Sequence, residues 1–173
     1  KFTTANYIPF LFKDDGNDEM LSYAQNLVRG VEDNLRNGNY STAYNTLDIS
    51  SMVDFLLIQE LMMNCELQHP KSMYSYINNG KLYAGPIWDF DWNTLAVDGN
   101  FECGYSYTKS MLEDASPRYY NYILNSSKYP DVDGGDKSYM WYPMLVKDAT
   151  FKAKAAERWN AVQGALAQVS ANI

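Results

Sequence analysis

Histidine and cysteine are scarce in this sequence, which limits the metal chemistry available to it. One histidine, His69, and two cysteines, Cys65 and Cys103, occur in 173 residues. A single histidine excludes metal sites built from several histidines. Two cysteines cannot complete a zinc cluster by themselves and are too few for a disulfide scaffold. The sequence leaves open whether Cys65 and Cys103 pair.

Excess positive charge and long apolar runs are also missing. Lys and Arg number 14 against 21 Asp and Glu, a net charge of −7, so the chain has no basic stripe for a phosphate backbone and we expect no nucleic-acid partner. Aliphatic runs such as Phe55–Ile58 are far shorter than the ~20 residues of a membrane span. No transmembrane segment is therefore expected. Glycine-rich nucleotide-binding motifs of the Gly-x-Gly-x-x-Gly and Walker types do not occur.

The composition that remains is that of an ordinary globular chain, apart from its tyrosines. Apolar residues make up 46% and charged residues 20%, and the length is about that of one domain. Aromatic residues reach 15%, with 15 Tyr among them. Tyrosine suits surfaces that contact sugars or proteins, but it is also a common core residue with a polar tip. Of the two interpretations, we favour tyrosine as a core residue.

Apolar periodicity predicts two helices in the first third of the chain. The first spans Asp18–Arg36, with Asn17 as N-cap and Gly38 as its end. The second runs from about Ile49 to Asn64, is capped by Asp48 or Ser51, and carries apolar residues around most of its circumference. Such a pattern is typical of a helix buried on nearly all sides.

The middle and end of the chain predict one hairpin and two further helices. Asn78-Asn79-Gly80 separates two Tyr-rich runs, residues 72–77 and 81–88, and Asn-Gly between such runs is a strong hairpin signal. A loop-like stretch follows, and then a short helix near residues 143–147 and a long one near 151–169. The fold class expected is α+β, mainly helical with a small antiparallel β-hairpin.

The strongest candidate for chemistry is Trp88-Asp89-Phe90-Asp91-Trp92, at the end of the second hairpin strand. In an extended chain, Asp89 and Asp91 would lie on one face with carboxylates roughly 6–7 Å apart. Like charges held between aromatic rings favour binding of a divalent cation such as Mg²⁺, Mn²⁺ or Ca²⁺. A pair of solvated or Arg-paired acids explains the same spacing equally well.

A polar loop between the second helix and the hairpin supplies three more candidates. Asn64, Glu66 and Lys71 lie in this loop. Because the loop leaves a buried helix and returns as the strand that precedes Asp89, we expect these side chains to lie near the two acids.

Read together and in order, these segments resemble the CotH kinase family. The matching segments are Phe55–Leu61, Asn64-x-Glu66, His69–Ser72, Tyr74-x-Tyr76, Gly80–Trp92, Asp148-x-x-Phe151 and Arg158-Trp159.

The resemblance implies an atypical protein kinase fold that binds ATP with Mg²⁺ or Mn²⁺ and phosphorylates serine on coat or surface proteins. Carried over to this sequence, Asp89 would hold the metal, and Asp91 would be a second metal ligand or support the first. Asn64 and Glu66 would occupy the catalytic loop, where spore-coat members usually have an aspartate. Lys71 could contact a phosphate. Family members are mostly in the cell envelope, secreted or on spore coats, which implies an extracytoplasmic location.

The N-terminal part of the kinase domain has no matching segment in this sequence. The phosphate-covering loop and its lysine would precede Lys1, so we expect residues 1–173 to be the C-terminal portion of a single CotH-like domain, resembling the C-terminal lobe of the kinase fold. By itself this portion should bind Mg-ATP poorly or not at all and should be inactive. The alternative is a non-catalytic cell-envelope or surface module that uses the same fold for binding.

Overall fold

The computed structural model describes residues 1–5, 8–13, 16–62, 73–90 and 141–171. Within these ranges the chain is mainly helical, with two antiparallel two-stranded sheets, which confirms the predicted α+β class. In chain order the elements are β1 (Phe2–Thr3), β2 (Pro9–Phe10), α1 (Asp18–Arg36), α2 (Tyr40–Thr46), α3 (Ile49–Met62), β3 (Ser75–Asn78), β4 (Lys81–Ala84), α4 (Tyr142–Leu145) and α5 (Ala149–Ala171).

Helix α1 has the predicted bounds, and its local chemistry explains them. The Asn17 side chain accepts a hydrogen bond from the backbone N–H of Met20 at 2.9 Å, which satisfies one of the free donors of the first turn. Acidic residues fill that turn, and Arg36 lies in the last one, both favourable for the helix dipole. After the helix, Gly38 takes a φ of +72°, a conformation that glycine adopts without strain.

Helix α2 was not predicted from the sequence. Its seven residues, Tyr-Ser-Thr-Ala-Tyr-Asn-Thr, include one buried position, Ala43. A short helix that buries a single small side chain produces no apolar periodicity, so tertiary packing decides its conformation here.

Helix α3 begins as predicted, and Asp48 is its cap. The Asp48 carboxylate accepts a hydrogen bond from the Ser51 backbone N–H at 2.8 Å. The expectation of burial on nearly all sides is wrong for the described part of the helix, because Leu61 is 45% exposed. The apolar residues cover more of the helix surface than the part that packs against the core. The side chains that are buried are Met52, Val53, Phe55, Leu56 and Gln59.

The hairpin β3–β4 forms where the Asn-Gly signal placed it. Asn79 and Gly80 have φ values of +48° and +76°, the positive pair that a type I′ turn requires. The register pairs Ser75 with Ala84 and Ile77 with Leu82. Both strands are shorter than predicted, and β4 ends at Ala84.

Aromatic residues late in the chain join these elements into one core. Trp141, Tyr142 and Phe151 are fully buried. The Trp141 indole N–H donates to the buried Glu32 carboxylate at 3.0 Å, and the Tyr142 hydroxyl donates to the Met52 carbonyl at 3.1 Å. Buried polar groups are thereby satisfied, and α4 is tied to both α1 and α3. No helix in the described ranges is long and apolar enough to cross a membrane.

Candidate functional site

The candidate site is built on the hairpin β3–β4, which α3 holds in place along one edge. The Asp48 N–H donates to the Leu82 carbonyl at 2.8 Å. Two residues further along β4, the Ala84 N–H donates to the Ser51 hydroxyl at 3.1 Å. The start of α3 therefore covers the outer edge of β4 and fixes the direction in which the chain leaves the hairpin.

Asp89 follows this anchored strand in a left-handed backbone conformation. Its φ is +67°, which non-glycine residues seldom adopt, although aspartate does so more often than most. The preceding Trp88 is 56% exposed and meets Tyr74 edge-on, with ring centroids 5.7 Å apart. Its side chain thus joins this segment to the residue just before β3.

Asp89 is half-buried as a residue, and none of the described residues forms a hydrogen bond or an ion pair with its carboxylate. The described ranges hold no group of three or more Asp, Glu, His or Cys side chains that could bind a metal ion. Any cation at Asp89 would therefore need further ligands.

The spacing argument that placed Asp89 and Asp91 on one strand face does not hold. Strand β4 ends five residues before Asp89, and a φ of +67° is not extended backbone. The local reason is Gly85, whose φ of +118° takes the backbone out of the extended conformation.

An open cavity of about 790 Å³ lies beside the hairpin. Its walls come from the segment around β2, from the first turns of α1 and from β3, with Pro86 at the side that leads to Asp89. The cavity was not anticipated from the sequence, because it depends on how distant segments pack.

The comparison with protein families decides which group this chain belongs to. The family model described as CotH kinase protein matches residues 7–172. The chain belongs to the CotH kinase family. No curated protein and no solved structure matches it significantly.

Four of the five residues that the CotH resemblance selected lie outside the described ranges. They are Asn64, Glu66, Lys71 and Asp91, so their roles, and their closeness to Asp89, stay predictions. Cys65 and Cys103 also lie outside these ranges.

Two CotH-like segments late in the chain have structural roles. The Asp148 carboxylate accepts from the Phe151 N–H at 2.9 Å and from the Tyr44 hydroxyl at 2.7 Å. Arg158 pairs with Asp54 of α3 at 2.6 Å. These contacts attach α5 to α2 and α3.

Gln59 is a further residue that sequence reasoning did not select. It lies on α3, is 3% exposed, and its buried side-chain oxygen has no hydrogen-bond partner among the described residues. The available signal was a polar residue inside the apolar run Phe55–Leu61. Buried polar groups without partners are uncommon. Gln59 is therefore a second candidate functional residue.

Proposed function

We propose that the chain is the phosphoryl-transfer portion of a CotH-type kinase, which moves a phosphoryl group from Mg-ATP or Mn-ATP to serine on a coat or surface protein outside the cytoplasm. Membership of the CotH kinase family supports the kinase-like part of this proposal. The rest is supported by Asp89, which has a left-handed backbone conformation and whose carboxylate has no partner among the described residues. Such conformations persist where the surrounding structure enforces them, and they cluster at functional sites.

A single free carboxylate suits the metal that the proposal requires. Mg²⁺ in nucleotide-dependent enzymes is commonly bound by one or two carboxylates together with water and the substrate phosphates. Asp89 would be the first of these carboxylates and Asp91 the second. When bound, the cation would offset negative charge on the phosphates during transfer.

The other family positions take the remaining roles in the proposal. Glu66, with Asn64 beside it, would accept a hydrogen bond from the serine hydroxyl and orient it toward the phosphate. Lys71 would contact a phosphate oxygen through its ammonium group. Phosphoryl transfer needs such positioning and charge stabilisation more than covalent participation by the protein.

The test is transfer of radiolabelled phosphate by the intact protein with Asp89→Asn. This substitution keeps the side-chain size and removes the charge, and we expect transfer to fall at least about a hundredfold. The matched control is Asp54→Asn, because Asp54 is a half-exposed acid of α3 that is paired with Arg158. Transfer should be unchanged in the control. Full transfer by Asp89→Asn, with native circular dichroism, would exclude the metal role.

One observation favours the alternative of a non-catalytic binding module. The hairpin and the segment that follows it carry exposed aromatic rings, with Tyr76 at 49% and Trp88 at 56% exposure. Tyr76 stacks on Tyr83 with centroids 5.0 Å apart, and exposed aromatic surface often marks an interaction site. Absence of transfer by the intact wild-type protein with both Mg²⁺ and Mn²⁺ would favour this function.

A further inference from the structure

The two edges of the hairpin β3–β4 differ in how their backbone groups are satisfied. In an antiparallel pair, the backbone N–H and C=O groups of every second residue bond to the partner strand. Those of the residues in between point outward, away from the partner strand. Leu82 and Ala84 point theirs outward, to Asp48 and Ser51. Their register partners are Ile77 and Ser75, which must therefore point their own N–H and C=O groups away from β4.

These outward groups of β3 have no partner within the part of the chain that the structure describes. The sheet there contains β3 and β4 alone. Ser75 and Ile77 together offer two N–H donors and two C=O acceptors along this edge, repeating every ~6.8 Å because they are two residues apart. A row of this kind is a template for another strand.

The cavity of about 790 Å³ runs along this same edge. Its lining includes two runs of five consecutive residues, Met73 to Ile77 and Pro9 to Lys13. Side chains of a strand alternate between two faces, so an unbroken lining run indicates that the strand edge itself faces the cavity. The edge of β3 and the segment around β2 therefore border the same space.

Four large apolar or aromatic side chains around the cavity are exposed. Leu11, Met20, Tyr23 and Tyr76 all line it, with exposures between 49% and 58%. The lining includes one basic and one acidic residue, Lys13 and Glu19, so it favours neither sign of charge. Residues 73–78 contain no charge and no proline, whereas natural edge strands usually carry such features to prevent pairing.

We propose that the free edge of β3 binds an extended, uncharged peptide segment of a partner protein by strand addition. Main-chain hydrogen bonds to Ser75 and Ile77 would hold the segment, and the exposed apolar side chains would receive alternate side chains of the partner. The repeating donors and acceptors select a polypeptide backbone over a small ligand. The inference goes beyond the proposed function, because binding requires neither nucleotide nor metal ion.

The probe for this edge is a fluorescein-labelled ten-residue peptide of alternating valine and serine, measured by anisotropy. A second peptide with proline in place of two central serines serves as its control. The chain should bind the first peptide and bind the second at least tenfold more weakly, since proline removes N–H donors that strand pairing uses. Absence of binding by the first peptide, or equal binding by both, would overturn the proposal.

Variants at Ser75 test whether β3 is the edge used. Ser75→Pro removes an outward N–H without removing a bond to β4, and Ser75→Ala keeps the N–H. We expect the proline variant to bind the alternating peptide at least tenfold more weakly and the alanine variant to bind it like the wild type. Equal binding by both variants, with native circular dichroism, would contradict the assignment.

Amide hydrogen exchange on the wild-type chain decides the matter even if Ser75→Pro does not fold. Adding the alternating peptide should slow exchange at Ser75 and Ile77, while Tyr76, already bonded to β4, should change little. Unchanged exchange at both residues would overturn the proposal. Sedimentation showing that the chain dimerises, with loss of the dimer in Ser75→Pro, would replace the peptide partner by a second copy of this chain.

Discussion

At the scale of single residues, the Asp148 carboxylate accepts two hydrogen bonds from different helices. It caps α5 through the Phe151 N–H and accepts the Tyr44 hydroxyl hydrogen bond at 2.7 Å. Burial first, and then the hydrogen bond to Asp148 and its negative charge, raise the pKa of Tyr44 far above its ordinary value of 10.0. The Tyr44 hydroxyl is therefore a fixed donor, and the resemblance that selected Asp148-x-x-Phe151 corresponds here to a structural motif.

Replacing Asp148 by alanine should therefore destabilise the chain more than loss of a helix cap alone. The cap contributes about 1 kcal/mol, and the unpaired Tyr44 hydroxyl adds about 1 kcal/mol more, so we expect about 2 kcal/mol from urea unfolding. Asp148→Asn keeps an acceptor oxygen and should cost less than half as much. Equal losses in the two variants would show that the negative charge, and not hydrogen bonding, is what stabilises this joint.

At the scale of elements, the sequence correctly predicted the helices and turns that depend on neighbouring residues. Asn17 and the apolar period fix α1, and Asn79-Gly80 fixes the hairpin turn, because each depends on nearby residues alone. Helix α2 escaped prediction because one buried alanine produces no periodicity. The backbone of Asp89 was predicted as extended because the apolar run continued past Ala84, and nothing in that run signals a left-handed turn. Four candidate site residues, Asn64, Glu66, Lys71 and Asp91, stay predictions.

Helix α5 is attached to the core mainly by its first turn, which leads to a prediction for two of its residues. Phe151 is fully buried, whereas Arg158 and its partner Asp54 have side chains 51% and 41% exposed. Phe151→Ala should cost about 3–5 kcal/mol, and Arg158→Ala below about 1 kcal/mol.

Urea unfolding of the two single variants measures this difference. Added salt should reduce the difference in the free energy of unfolding between wild type and Arg158→Ala, because salt screens exposed ion pairs. A loss above about 2 kcal/mol for Arg158→Ala would mean that the ion pair fixes the position of the helix.

At the scale of the whole molecule, one core depends on tyrosines held in their neutral form. Burial raises the pKa of Tyr142 well above 10.0, and the pKa of Tyr44 is raised as well. Their hydroxyls bind the Met52 carbonyl and Asp148, so α2, α3, α4 and α5 meet through neutral phenols. The high tyrosine content that the composition showed thus serves the core at these two positions and the exposed hairpin surface at Tyr76.

Stability should consequently fall at alkaline pH. In the unfolded chain these tyrosines ionise near their ordinary pKa of about 10, while in the folded chain they stay protonated. Below that pH both states hold the protons and stability is unaffected. Above it the unfolded state binds fewer protons, so the free energy of unfolding decreases by up to about 1.4 kcal/mol per pH unit for Tyr142, and by less for Tyr44, which is partly exposed to solvent.

Urea unfolding between pH 8 and pH 11 should show this decline, and Tyr44→Phe provides the control. The variant loses the Tyr44 contribution but keeps that of Tyr142, so its stability should be lower at pH 8 and fall less steeply above about pH 10. All other titratable groups are the same in both proteins, so their contributions cancel in the comparison. Parallel curves for the two proteins would show that the Tyr44 hydroxyl ionises as freely in the folded chain as in the unfolded one. In that case its hydrogen bond to Asp148 could not be the contact that joins α2 to α5.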